Sequence, residues 1–528
     1  MKVSAKSVLY RCALCVLVYG SAAPVAADEV ISSPSIVEAK GEGSHLSYLD
    51  YLGLVLANNP TLKKQELEWG IASSVVMNAE SEFEPVLTVK LSRDDNFRRL
   101  ATIDASSLGG LVDVNDEYRS ASESASVEVN KKFKTGVFLT LTHTMERQDN
   151  DSQVDPWKGE EHISYGGMDL VVPLLKGAGT AVNSATVRIA EMDKNLAKLD
   201  YLKEAVDVSY RAVTEYLNLY LAVERLSTRH NSEKIATQLL EDQKGRYKLG
   251  KGSIGDVKDG KIGLVMRQTE VSQAIQLKAD SMDKLRYLMG AASPQLPKEF
   301  TVESFDLAEI PEMNEELVAH ALQKLPQYLA LQKKSEREGV RLVHAENQRY
   351  PRLDFKASYG LNALGTSYEG AYEQLGDAKY DRTSIGFEFS IPLEGDKRSR
   401  SELSAAKMKK QQVMQEINTV EMEAANSIRS AIFRMKQAWS QYQELKVVEK
   451  ESKELFDLEM QKLKSGRSNI RTVLEREGRY NQVLESVLEA KVNYHKAVFA
   501  LEYADGSMME RLDANFSNPL EKEWGLTK

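Results

Sequence analysis

Catalysis needs side chains that accept a proton, hold a metal or attack a carbon, and this chain offers few of them in a useful arrangement. Its histidines are His45, His143, His162, His230, His320, His344 and His495. No two stand at the i, i+4 spacing with which one helix face presents two metal ligands. Gly177-Ala178-Gly179 follows a strand-like stretch as a phosphate loop would, but the Gly-Lys-Ser/Thr ending that completes such a loop is missing, so a bend from strand to helix is the better account. Gly252-Ser253-Ile254-Gly255 approaches a nucleophile elbow with Lys251 in place of the first glycine. It falls between two helical patterns, not after a strand. Paired acids such as Glu421 and Glu423 lie on different helix faces and read as solvated surface. No enzyme, cofactor or metal centre is expected, and an envelope hydrolase lacks a nucleophile with its base.

The elements that carry these residues are extended. Of 528 residues, 42% are hydrophobic and 28% charged, with only 13 prolines, a balance that suits long exposed helices better than one compact globule. Lys2, Lys6 and Arg11, an apolar stretch from Cys12 to Gly20 and the small residues up to Ala27 predict a signal peptide over residues 1–27. The apolar run is shorter than a spanning helix requires. Cleavage would remove Cys12 and Cys15, leaving no cysteine for a disulfide, and neither is preceded by the small residue that lipid anchoring usually needs. It would also leave 66 basic against 78 acidic residues, a net charge of −12. An evenly mixed acidic chain without a basic block argues against nucleic-acid binding.

Comparing the chain with itself reveals a duplication. Pro60 and Pro85 stand 25 residues apart, as do Pro326 and Pro351; Gly167 and Pro173 match Gly386 and Pro392, six apart; Gly250 and Gly290 match Gly466 and Gly506, forty apart. Each half reads helix, strand, loop, strand, long helix, turn, helix. The expected boundaries are a first repeat over 28–290, a linker over 291–313 whose prolines break helices, a second repeat over 314–506 and a tail over 507–528.

Strands are predicted at 84–92, 162–173, 351–361 and 381–392, because Leu87, Val89 and Leu91 oppose Thr88 and Lys90, and Phe387, Phe389 and Ile391 oppose Glu388 and Ser390. The first half has an additional alternating segment, 122–146, turning at Lys134-Thr135-Gly136. Its long polar flanks, Arg93 to Ser120 and Glu146 to Glu161, suit outer loops. Whether this hairpin joins the same sheet is left open.

Long helices are predicted over 180–243, 256–289, 397–463 and 472–503. In the first, Ala185, Ile189, Met192, Leu196, Leu199, Val206, Tyr210, Val213, Leu217 and Tyr220 recur at alternating steps of four and three, interrupted only at Lys203, a heptad seam. The second half repeats it with Val413, Ile417, Val420 and Ala424 and then, after a one-residue slip, Ile428, Ala431, Met435, Ala438, Tyr442 and Leu445. The first helix would run about 95 Å, roughly twice its return. End-to-end stacking of 256–289 on 314–349, and of 472–503 on 48–80, would make four rods of equal length in one curved wall.

With these elements in place, the chain resembles the TolC-type outer membrane efflux protein family across nearly all residues after the leader. The resemblance is carried by Leu56-Ala57-Asn58-Asn59-Pro60, by Val172-Pro173-Leu174-Leu175-Lys176-Gly177, and by Arg246-Tyr247-Lys248-Leu249-Gly250 leading to Asp256-Val257. It implies a mainly α fold with transmembrane β strands, in which a duplicated repeat forms a trimeric β-barrel plus a long periplasmic α-helical coiled-coil barrel. The family's twelve strands, four from each subunit, make one outer-membrane barrel in contact with lipid. The function implied is a passive export channel for small molecules or proteins, as in tripartite efflux and type I secretion, docking to a periplasmic adaptor and an inner-membrane pump. By resemblance the docking tip is Leu249, Gly250 and Lys251 with Ser465, Gly466 and Arg467, and the candidate tip constriction is Asp256 with Glu475. Thr472 departs from an aspartate often found in the second turn. The alternative is a periplasmic coiled-coil scaffold or adaptor without a pore, which would explain the heptads but not the alternating strands.

Overall fold

The computed structural model describes residues 47–99, 117–151, 153, 160–290 and 315–515. The expected leader, the inter-repeat linker and the end of the tail lie outside the described residues. The first repeat contains helices α1 (Tyr48–Asn58) and α2 (Pro60–Glu80), strands β1 (Val86–Arg99), β2 (Glu117–Lys132), β3 (Phe138–Asn150) and β4 (Glu161–Pro173), then α3 (Ala185–Lys248) and α4 (Ile254–Met289). The second contains α5 (Glu315–Lys324), α6 (Pro326–Asn347), β5 (Arg352–Gly365), α7 (Tyr368–Gly376), β6 (Asp381–Ser390), α8 (Lys397–Lys464), α9 (Ile470–Ala504) and α10 (Ser507–Asn515). At 64 and 68 residues, α3 and α8 each extend roughly 100 Å.

All six strands form one antiparallel sheet in the order β1-β2-β3-β4-β5-β6. The hairpin expected over 122–146 is therefore β2 and β3, inserted in register between the two strands that flank it in sequence. The strands outrun their predicted ends: β1 pairs with β2 from Val86↔Asn130 to Arg99↔Glu117. Parts of the polar flanks read as loops are thus ladder, because backbone pairing continues after the apolar alternation stops.

The helices form a wall four rods wide. From one edge to the other the order is α8, then α9 with α6, then α3, then α4 with α2: α8 packs on α9 and α6, both of these pack on α3, and α3 packs on α4 and α2. Consequently α3 has neighbours on both sides and buries two stripes. Beside the predicted seam, Tyr201, Ala205, Val208, Ala212, Tyr216 and Leu219 are buried as well. Helix α8 lies at an edge and buries one stripe. There Ile428, Ala431 and Met435 meet Tyr494, Ala497 and Leu501 of α9 and Ala321 of α5, each large apolar side chain contributing about 1.5–3 kcal/mol by leaving water.

The end-to-end stacking differs from the expectation. Each return helix meets the entering helix of its own repeat, not of the other. Asn59 makes the first junction: its Oδ1 caps α2 by accepting from Thr61 N at 2.9 Å, while its Nδ2 donates to Leu288 O of α4 at 2.8 Å. Gly290, at φ +78°, lies so close that a methyl group there would stand 2.8 Å from Asn58 O. Gly506, at φ +77°, meets Lys324 at the α5–α6 break in the same way. Spacing alone gave equal rod lengths for either pairing; these contacts choose between them.

Candidate functional site

The sheet has one apolar and one polar face, and successive rows along its hydrogen bonds show it. Leu87 lies beside Val129, then Leu141, Met168 and Tyr359. One residue away, Asn130 lies beside Thr140, then Asp169, Ser358 and Ser384. The apolar face is bare, with Ile385 and Phe387 at 69% and 70% exposure, an arrangement that water would penalise across a patch of this size. Towards the far end it gives way to a charged row in which Arg93 holds Glu123 at 2.7 Å and Arg147 holds Glu160 at 2.6 Å. Helix α7, unforeseen in the sequence, lies on this face against β4 and β5. It covers His162 and Ser164, and Tyr368 packs edge-on to the His162 ring at 4.2 Å. Gly365 admits the close approach, since a methyl group there would stand 2.6 Å from Ala371 N.

At the opposite end of the molecule are the two helical turns. The last turn of α3 closes through Gly250 N to Tyr247 O at 3.0 Å and Lys251 N to Arg246 O at 2.9 Å, with Gly250 at φ +70°. The end of α8 repeats this through Gly466 N to Leu463 O at 3.1 Å and Arg467 N to Lys462 O at 2.8 Å, with Gly466 at φ +73°. Both are left-handed glycine C-caps that satisfy otherwise orphaned carbonyls. Leu249, 74% exposed, projects from the first turn.

Asp256 and Glu475 stand in different settings. Asp256 completes a capping box at the start of α4: Gly255 N donates to Ser253 Oγ at 3.1 Å, and Ser253 N donates to Asp256 Oδ2 at 3.3 Å. Thr472 occupies the corresponding place in α9, donating through N and Oγ1 to Asn469 Oδ1 at 2.9 and 3.0 Å. Glu475 lines a groove of about 280 Å³ between α4 and α9, with Asp259, Met266 and Arg471. The two turns are not level. Ile470 at the start of α9 lies against Gly260, so the first hairpin projects past the second by about 9 Å. Asp256 therefore sits about 14 Å below Glu475 along the rods, and the structure does not bring them together.

Sequence reasoning missed the polar network above the tip. Glu477, fully buried, accepts from Ser232 of α3 and from Asn481, and from Arg267 of α4 through Nη2 at 2.6 Å. Arg267 also holds Glu270 at 2.8 Å, and Arg229 of α3 holds Glu270 at 2.6 Å and Glu485 of α9 at 2.7 Å. Burial alone would lower the Arg267 pKa, but Glu477 and Glu270 outweigh it and hold the guanidinium above its ordinary value. Its trace in the sequence is a glutamate in the apolar seam that runs Ile470, Val473, Glu477, the type of position where a polar residue specifies register. At the tip, Arg246 of α3 reaches the last carbonyls of α8, Leu463 O at 3.0 Å and Lys464 O at 3.3 Å. Among the described residues no group of three or more His, Cys, Asp or Glu is placed to hold a metal, and no helix is long and apolar enough to cross a membrane.

Comparison with known proteins places this architecture. Residues 317–507 match the family model described as outer membrane efflux protein. No curated protein matches the chain. Among solved structures, CusC is similar at TM-score 0.64 and 11% identity, over 88% of this chain and 92% of that one. The Campylobacter jejuni CmeC outer membrane channel gives TM-score 0.61 and 16% identity over 89% of each chain. The outer membrane protein VceC from Vibrio cholerae gives 0.59 and 15%, over 87% of this chain and 96% of that one. At such identities the likeness is one of fold.

Proposed function

We propose that the chain is an outer membrane efflux protein of the TolC type, a reading supported by the family match over residues 317–507 and by the fold, and that it closes as a homotrimer into a passive export channel. The observation that carries this is the coincidence of unfinished edges. The described sheet ends in β1 and β6, each paired on one side only, and the helical wall ends in α2 with α4 on one side and α8 on the other. Since α2 leads into β1 and β6 leads into α8, each open strand continues into an open helical edge. Both helical edges carry bare apolar residues: Leu67 and Ile71 on α2, Phe433 and Val447 on α8. In lipid an unpaired strand edge is untenable, and a head-to-tail contact that repeats by rotation closes a ring. The apolar face then meets outer-membrane lipid, the polar face lines the lumen, and the helices continue it into the periplasm.

The partners follow from the family. The channel draws energy from an inner-membrane pump and contacts a periplasmic adaptor through Leu249, Gly250 and Lys251 and through Ser465, Gly466 and Arg467. Asp256, in its capping box, and Glu475, in the groove beside Arg471, are the candidate tip constriction. Detergent-extracted protein should have the native mass of three chains, fractionate with the outer membrane and migrate differently on gels after heating. A stable monomer, or a trimer that never conducts in planar bilayers, would refute the proposal and favour the scaffold.

A further inference from the structure

We infer that the outer end of this channel is as wide as its helical tunnel, an eighteen-stranded exit suited to bulky hydrophilic cargo such as polypeptide; this rests on the trimeric reading above. The tilt of the strands follows from their register. A line along the hydrogen bonds from Val86, the first residue of β1, passes Asn130, Thr140, Asp169 and Ser358 and reaches Ser384, six residues before the end of β6. With the strand ends level where they join the helices, six residues are about 20 Å of climb across five spacings of about 4.8 Å. The strands thus lean about 40° from the barrel axis, within the range of outer-membrane barrels.

At that lean each strand occupies about 6.3 Å of circumference, so one protomer's six strands span about 38 Å. The four helical rods below them, 8–10 Å apart, span about 36 Å. The two arcs match. Four strands would span only about 25 Å and force a taper. Three protomers then give a circumference of about 115 Å and, after about 5 Å of side chain on each wall, a clear bore of about 26 Å, against about 14 Å for twelve strands.

The additional width comes from β2 and β3, whose luminal positions are hydrophilic: Ser122, Ser124, Ser126 and Glu128 on one strand, Thr140, Thr142, Thr144 and Glu146 on the other. A hydrophilic lining of this kind offers no apolar surface for cargo to adhere to. The insertion is also separable. Val86 pairs with Asn130, Asn130 with Thr140 and Thr140 with Asp169, so removing both strands leaves Val86 facing Asp169 with direction and alternation preserved.

The test uses the full-length trimer in planar bilayers, with neutral polyethylene glycols of graded size added on the outer side only and their entry read as a fall in conductance. The intact channel should admit polymers up to about 12 Å in hydrodynamic radius, and a variant lacking Glu117–Asn150 only those up to about 6 Å, a twofold shift in cut-off. If the variant does not assemble, the intact cut-off decides alone. A conducting trimer whose cut-off lies near 6 Å overturns the wide exit and leaves the channel standing; a trimer that never conducts removes both.

Discussion

Arg267 on α4 grips the fully buried carboxylate of Glu477 on α9 through two nitrogens, Nε at 3.1 Å and Nη2 at 2.6 Å. This fork joins the two hairpins of one protomer above their tips, where the adjoining groove would otherwise part them. Arg267→Ala leaves a buried charge without its counter-ion and should destabilise the protein by about 3–5 kcal/mol. The double variant Arg267→Met, Glu477→Leu should recover much of that loss. Urea unfolding of the detergent-solubilised protein measures both, and an Arg267→Ala midpoint equal to wild type would show that the fork contributes nothing.

Substitution of the glycine turns would separate the proposed docking from assembly. Gly250 and Gly466 have positive φ, and nothing stands within 4 Å of a methyl group added at either, so a substitution acts only through backbone strain. Val at both positions should cost about 1–2 kcal/mol per turn and distort the tip while the sheet and seams persist. Trimers should still reach the outer membrane, and cross-linking to the adaptor should fail. Asn at both positions, which tolerates this conformation, should preserve the cross-link.

Adjacent residues in β6 predict opposite outcomes. Ile385 is on the bare apolar face and Ser384 on the polar face. Ile385→Arg should cost about 2–4 kcal/mol at membrane depth and reduce the yield of heat-modifiable trimer. Ser384→Arg should assemble normally and alter conductance. Equal yields from the two variants would argue that the faces are reversed or that the sheet lies outside lipid.

Acid should weaken the wall through His495 of α9. Burial first, then the positive charge of Lys491, lowers its pKa from the ordinary value to about 4. Between pH 4 and 6.5 the unfolded chain therefore binds the proton more readily than the folded one. The neutral imidazole's contribution is complete above pH 6.5 and is lost as the pH falls through 4, up to about 3 kcal/mol per subunit. Thermal melts from pH 7.5 to 4.5 should show a downward slope that His495→Gln flattens; parallel slopes would exclude this histidine.

Much of this protein is written locally. The matched prolines break or end helices because they remove a donor and fix φ, the alternation of Leu87, Val89 and Leu91 marks a two-faced strand, and the seam of α8 marks a coiled-coil stripe. These depend on residues within a few positions of one another, so they are legible in order along the chain. The two glycine turns were legible for the same reason. The second buried stripe of α3 was present too, in Tyr201, Ala205, Val208 and Ala212, but one seam does not reveal that a helix has neighbours on both sides.

Tertiary structure decided what depends on partners distant in sequence. Alternation shows that β2 and β3 have an apolar face but not which strands accept their hydrogen bonds, so membership of one six-stranded sheet emerges only from the register. Equal rod lengths allow either stacking; Asn59 reaching Leu288 O selects one. A glutamate in an apolar seam looks unfavourable until Arg267, 210 residues earlier in the chain, supplies the opposite charge. Helix periodicity and strand alternation are properties of the neighbouring backbone, whereas a buried charge or an unpaired edge is resolved only by the group that space brings to it.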